Sequence, residues 1–138
     1  MKKIMIVTST RADYGLLRPV IRRVADSDKL TLSLVVTGTH LLKEYGETVS
    51  EIIADGLPIS HRADIMKFGF GEKETAFTIG YTIQQFTEIF SVDRPDLLVV
   101  LGDRYEIFAV VTAGAALSIP IAHISGGDVT FGAKDDYY

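Results

Sequence analysis

Apolar residues alternate along this chain between two rhythms. Short unbroken runs of Ile, Val and Leu, of strand length, are separated by longer stretches with apolar positions every three or four residues. Ile4 to Val7 is the first run, and Tyr14 to Ala25 follows with Leu16, Leu17, Val20, Ile21 and Val24 at helical spacing. Leu30 to Val36 reads as a second strand, ended by Thr37-Gly38-Thr39-His40. Leu41 to Ala54 has helical period and stops at Asp55-Gly56, with Pro58 beyond. Ile59 to Ala63 is a weak third strand.

The second half repeats the pattern. Residues 64 to 73 carry two glycines and no period, which predicts a mobile loop. Glu74 to Ser91 is the longest predicted helix, and Leu97 to Leu101 the fourth strand. Tyr105 to Leu117 is a helix rich in Ala and Val, small enough to sit close on a sheet. Ile119 to Ile124 is the fifth strand, and a polar, glycine-bearing tail runs from Ser125 to Tyr138. Strand and helix units alternating at about 30-residue spacing predict an α/β fold, a doubly wound parallel sheet with right-handed crossovers. No repeat, low-complexity segment or interior linker divides the chain, so residues 1 to 138 read as a single domain.

Composition narrows the function classes. Apolar residues make up 47% of the 138, consistent with a sheet covered on both faces. Fourteen basic against eighteen acidic residues give a net charge of −4, and no Lys/Arg cluster offers a phosphate-backbone track, so nucleic acid is not an expected partner. There is no cysteine, which excludes a disulfide scaffold, a thiolate metal site and a Cys nucleophile. The three histidines lie far apart, so no metal-binding HxxxH helix exists. No apolar run approaches the ~18 residues of a membrane span, and the amino terminus is too short in apolar length for a signal peptide. A cytoplasmic protein with no membrane partner is expected.

Polar residues outside the periodic segments collect mainly after the strands. The clusters are Thr8 to Gly15, Thr37 to His40, Gly102 to Glu106 and His123 to Asp128. In a parallel sheet such loops converge on one edge near the topological switch point, where open α/β sheets bind ligands. Arg11 and Asp13 would pair, or cap the next helix, or Arg11 would take an anionic group. His40 reads as a satisfied loop residue or a ligand contact, and His123 as a core histidine bonded to backbone. Asp103 would cap the following helix or act on a ligand. Gly102 allows close backbone approach, and Arg104 suits a carboxylate or phosphate. Glu106, in the first helical turn, is adequately explained as an acid at a helix start.

Gly126-Gly127 would aim Asp128 into the cleft, and Asp135-Asp136 continue the acidic series. Converging carboxylates suit acid/base chemistry, or alternatively a divalent cation. Neither GxGxxG after the first strand, nor a P-loop, nor G-x-S-x-G occurs, so no nicotinamide, P-loop nucleotide or serine-hydrolase chemistry is indicated.

Four segments together carry a family resemblance: Ile4 to Gly15 with Thr-Arg11-Ala-Asp13-Tyr14-Gly15, Val-Thr-Gly-Thr-His40-Leu, Leu-Gly102-Asp103-Arg104-Tyr-Glu106, and His123-Ile-Ser-Gly-Gly-Asp128. In that combination and order the chain resembles the UDP-N-acetylglucosamine 2-epimerases, and more closely the hydrolysing, N-acetylmannosamine-forming branch that serves sialic-acid-type sugars. The resemblance covers essentially the whole chain. It implies a Rossmann-like domain, one half of a glycosyltransferase-B-like two-domain architecture with the active site between the domains. The family pattern continues past Asp135-Asp136 to an Arg-His, so the resemblance implies the first part of a longer protein, inactive as an isolated fragment. A homo-oligomer is also implied for the full-length protein.

For chemistry the resemblance implies anti-elimination of UDP to a 2-acetamidoglucal, then addition of water, with no cofactor and no metal. Asp103, Asp128 and Asp135 are the matched catalytic candidates; Arg11, His40, Gly102 and Arg104 are the matched substrate-binding ones. The family usually has Glu where this chain has Asp128, and the loss of a methylene retracts the carboxylate by about an ångström. That departure suits either a compensating backbone or a different substrate, such as a di-acetamido or GDP-linked sugar. The competing expectations are a glycosyltransferase of the same architecture and a non-catalytic nucleotide-sugar sensor.

Overall fold

In the computed structural model, which describes residues 1–125, every strand is parallel to its neighbours. The strands are β1 (Lys2–Thr8), β2 (Leu30–Thr37), β3 (His61–Ala63), β4 (Leu97–Leu101) and β5 (Ile121–Ile124). Their spatial order is β3-β2-β1-β4-β5, so the direction of winding reverses between β1 and β4. The helices are α1 (Arg11–Ala25), α2 (Val49–Ala54), α3 (Glu72–Val92) and α4 (Tyr105–Ala116).

Strand alternation sorts the apolar side chains into two cores. Ile4 and Ile6 of β1, Leu34 and Val36 of β2 and Val99 of β4 face α1 and α2 with Leu17, Ile21 and Ile52. Met5, Val7, Val35, Leu98 and Val100 face α3 and α4 with Phe86, Phe90, Ile107 and Val110. Both faces of the central strands are covered, which is why those runs read as continuously apolar. The small-residue helix sits close on the sheet as expected: a Cβ added at Gly114 of α4 would stand 3.0 Å from Leu98 Cδ2.

Three sequence expectations are corrected. The helix expected over Leu41 to Ala54 is two short 3-10 turns, Gly38–Leu41 and Lys43–Tyr45, and only then α2. Leu42 is extended and Gly46 and Glu47 both have positive φ, so the chain turns twice where periodicity alone implied one helix. The third strand is shorter than expected because its pairing with β2 begins only at His61, opposite Val35, and the fifth because pairing starts beyond Pro120. His123 is exposed rather than buried in the core, because β5 is the outermost described strand. Its expected backbone bond is present, from the ring to the Gly102 carbonyl.

Candidate functional site

The turn after β1 is built around one buried carboxylate. Thr10 caps α1, its hydroxyl accepting from Asp13 N at 3.1 Å, and the Asp13 side chain accepts in return from Thr10 N at 3.1 Å. Asp13 also takes the Ser9 amide at 3.0 Å, the Ser9 hydroxyl at 2.9 Å and the Thr8 hydroxyl. Of the two expected alternatives for Asp13, capping is the one realised. Arg11 instead pairs with Glu51 of α2, Nε to Oε1 at 3.0 Å, both largely exposed, so the contact is weak and easily exchanged for a ligand.

The turn after β2 is locked onto the first. The His40 amide donates to the Ser9 carbonyl at 3.4 Å and the Thr39 hydroxyl donates to the same oxygen at 3.3 Å. Gly38 makes this approach possible: its φ is +62°, and a Cβ there would lie 2.6 Å from Ser9 O. The His40 ring is fully buried, Nε2 lying 2.9 Å from Thr8 Oγ1 and Nδ1 2.7 Å from Thr48 Oγ1. Thr8 donates its only hydroxyl proton to Asp13, so the donor count puts the ring proton on Nε2 and leaves Nδ1 to accept from Thr48. Burial pushes the imidazole pKa below its usual value, against the opposing pull of Asp13 and Glu51. His40 thus lies beneath the site, with both ring nitrogens engaged by threonines, and orders its floor.

After β4 the chain turns at Gly102, whose φ is +85°. Its amide donates to the Ile124 carbonyl at 2.9 Å and its carbonyl accepts from His123, so the end of β5 clamps this turn. Asp103 does not cap α4. The cap residue is Arg104, with no side-chain capping bond. Arg104 Nε donates to Glu106 Oε1 at 2.5 Å, and its guanidinium lies 5.7 Å from the Tyr105 ring centroid. Glu106 is 1% exposed, and among the described residues its Oε2 has no hydrogen-bond partner.

These turns meet in a cavity of about 360 Å³ outside the carboxyl ends of the strands. Thr10 and Arg11 line it after β1, Thr39, Tyr45 and Thr48 after β2, Phe70 after β3 and Arg104 after β4. Two guanidinium groups and three threonines, faced by the Tyr45 and Phe70 rings 6.4 Å apart, suit an anionic ligand with a flat or apolar part. A larger depression of about 670 Å³ lies at the opposite edge, around Asp26 and Leu30, away from the switch point.

The sequence-expected residues divide clearly. Arg11 and Arg104 share the cavity, Gly102 and Asp103 form the turn beside Arg104, and His40 supports the floor from below. Asp128 and Asp135 lie outside the described residues. The loop after β3 contributes Phe70, which strand-end reasoning passed over; the signal was two aromatics, Phe68 and Phe70, alternating with Gly69 and Gly71 in an aperiodic segment. Among the described residues no three His, Cys, Asp or Glu side chains gather as a metal site, and no helix is long and apolar enough to cross a membrane.

An open parallel sheet with this strand order, and an arginine-lined cavity outside its carboxyl edge, define a Rossmann-like domain with a candidate ligand site. The chain belongs to the UDP-N-acetylglucosamine 2-epimerase family, whose model matches residues 22–138. It is 41% identical over 128 residues to the hydrolysing UDP-N,N'-diacetylbacillosamine 2-epimerase of Legionella pneumophila, covering 93% of this chain and 34% of that one. To the UDP-N-acetylglucosamine 2-epimerase of Neisseria meningitidis serogroup B it is 35% identical, covering 99% and 35%. The crystal structure of a Neisseria meningitidis UDP-GlcNAc 2-epimerase bound to UDP-GlcNAc superposes with a TM-score of 0.77 at 20% identity, over 94% of this chain and 34% of that one. A likeness at that identity is one of fold, and these epimerases have the glycosyltransferase-B-like architecture. The chain spans about a third of the length of the curated relatives it matches.

Proposed function

We propose that this chain supplies one wall of the active-site cleft of a hydrolysing nucleotide-sugar 2-epimerase. The observation that carries the reading is the meeting of Arg11 and Arg104 in one cavity at the switch point, beside the turn that holds Asp103. Two guanidinium groups suit the diphosphate of a nucleotide sugar, whose negative charge grows as the C1–O bond breaks. A base removes the proton at sugar C2 while UDP departs from C1, leaving a 2-acetamidoglucal. Water then adds across the double bond, hydroxyl to C1 and a proton to C2 from the other face, which inverts C2. Asp103, with Asp128 and Asp135, are the candidate proton carriers.

The substrate is a UDP-linked acetamido sugar. UDP-N-acetylglucosamine, giving N-acetylmannosamine for sialic-acid-type sugars, is the first reading, and the Neisseria relative supports it. A di-acetamido sugar is the second, favoured by the Legionella relative at 41% identity. The whole natural polypeptide is to be incubated in D₂O with each UDP sugar and no acceptor. Release of UDP with a free, C2-deuterated epimer is expected from one of them. Interconversion of intact nucleotide sugars, or release only when an acceptor is added, overturns the hydrolysing reading.

A further inference from the structure

Glu106 is a poor investment if its task is only to start a helix. An exposed acid in the first turn of α4 would serve the helix dipole equally well, yet Glu106 is 1% exposed. Burying a carboxylate is costly unless it is well bonded, and among the described residues Glu106 has one hydrogen-bond partner. That partner is Arg104, 41% exposed at its side chain and part of the cavity wall. The contact uses Nε rather than the terminal nitrogens. It fixes the guanidinium plane from the protein side, while the Tyr105 ring lies close to the same group. Arg104 precedes α4 and Glu106 sits two residues on, in a regular helix packed on the sheet, so the carboxylate is a rigid anchor for a flexible cation.

We propose that Glu106 is a positioning residue: it holds Arg104 in the orientation that receives the ligand's anionic group. The arginine arrives in the cavity with its rotamer already chosen, so less side-chain entropy is lost on binding. This rests on the nucleotide-sugar reading above, since the anion is taken to be a nucleoside diphosphate. The specificity is one of geometry, and a lysine at 104 would keep the charge without the Nε–H that Glu106 accepts.

The test is a double-mutant cycle in the whole natural polypeptide, with UDP and GDP as probes and titration calorimetry as the readout. Glu106→Gln keeps the shape but removes the charge, and is expected to weaken nucleotide binding about tenfold. Arg104→Ala should weaken it at least as much, and Glu106→Gln should then add less than about twofold in that background. A purely structural role would instead multiply the two losses, and that outcome overturns the proposal, as does wild-type affinity in Glu106→Gln. If Glu106→Gln fails to fold, Arg104→Lys probes the same contact from the exposed side; wild-type affinity there overturns it. Wild-type protein that binds neither nucleotide brings down the functional reading and this proposal together. Normal wild-type binding with additive mutants brings down this proposal alone.

Discussion

The imidazole of His40 lies 2.9 Å from the hydroxyl of Thr8, and that bond joins the two turns that floor the candidate site. Thr8 passes its proton to Asp13, His40 passes one to Thr8, and Thr48 completes the row at 2.7 Å from Nδ1. The loop after β1, the turn after β2 and the approach to α2 therefore form one hydrogen-bonded unit with a neutral histidine at its centre.

His40 should make stability depend on mildly acidic pH. Its folded pKa is held below the ordinary 6.5 by burial, so the unfolded chain takes up a proton first as pH falls. Stability is intact above about 6.5 and declines as pH drops from there toward the folded value. His40→Ala should cost about 3 kcal/mol, leaving Thr8 and Thr48 short of a partner, and should flatten this part of the profile. Urea midpoints at pH 7.5 and 5.5 for both proteins check it; parallel profiles would count against the assignment.

Asp13→Asn should destabilise by about 2–3 kcal/mol although it changes no volume. The new amide nitrogen would face donors from Thr8, Ser9 and Thr10 that now converge on a carboxylate. Denaturant unfolding measures the loss, and helical content of the native state should be unchanged.

Glycines 38 and 15 should respond oppositely to alanine. Gly38→Ala combines a positive φ with a Cβ 2.6 Å from Ser9 O, and should cost about 2 kcal/mol or more. Gly15→Ala lies within α1 with nothing within 4 Å of the added Cβ, and should stabilise by about 0.5–1 kcal/mol. Thermal melting of the two variants beside wild type decides between these signs.

Asp93 should set an acid limit at the other edge of the sheet. Burial, the largest single influence, pushes its carboxyl up, but hydrogen bonds from Lys3, His61 and Ser33 together bring it down to about 2. Because the folded pKa is the lower, the stabilisation is present above about 3.9 and is lost as pH falls toward 2. It amounts to about 2 kcal/mol. Asp93→Asn should be less stable than wild type at pH 6, with the gap closing between pH 4 and 2 in urea titrations.

Much of the site was legible because strand ends are legible. Thr-Arg11, Gly102-Asp103-Arg104 and Thr-Gly-Thr-His40 each follow an apolar run, and topology carries them to one edge. What could not be read was depth. His40 and Glu106 are polar residues in polar turns, and nothing in their neighbours told which would be enclosed. His40 is covered because Gly38 lets its turn press onto Ser9, and Glu106 because α4 settles closely on β4. Phe70 was missed for a different reason: it reaches the cavity from the loop after β3 by meeting Tyr45, a residue distant in sequence.

Local chemistry alone settled the parallel α/β class, the approximate elements, the switch-point edge and the residue types available there. Those follow from the two hydrophobic periods and from glycine and proline punctuation, which act within a few residues. Tertiary structure decided that the stretch from Gly38 to Ala54 is two turns and a short helix, that His40 supports the floor, and that Arg104 is anchored by a buried Glu106. Burial and pairing across the fold depend on which segments meet, and no local pattern encodes that.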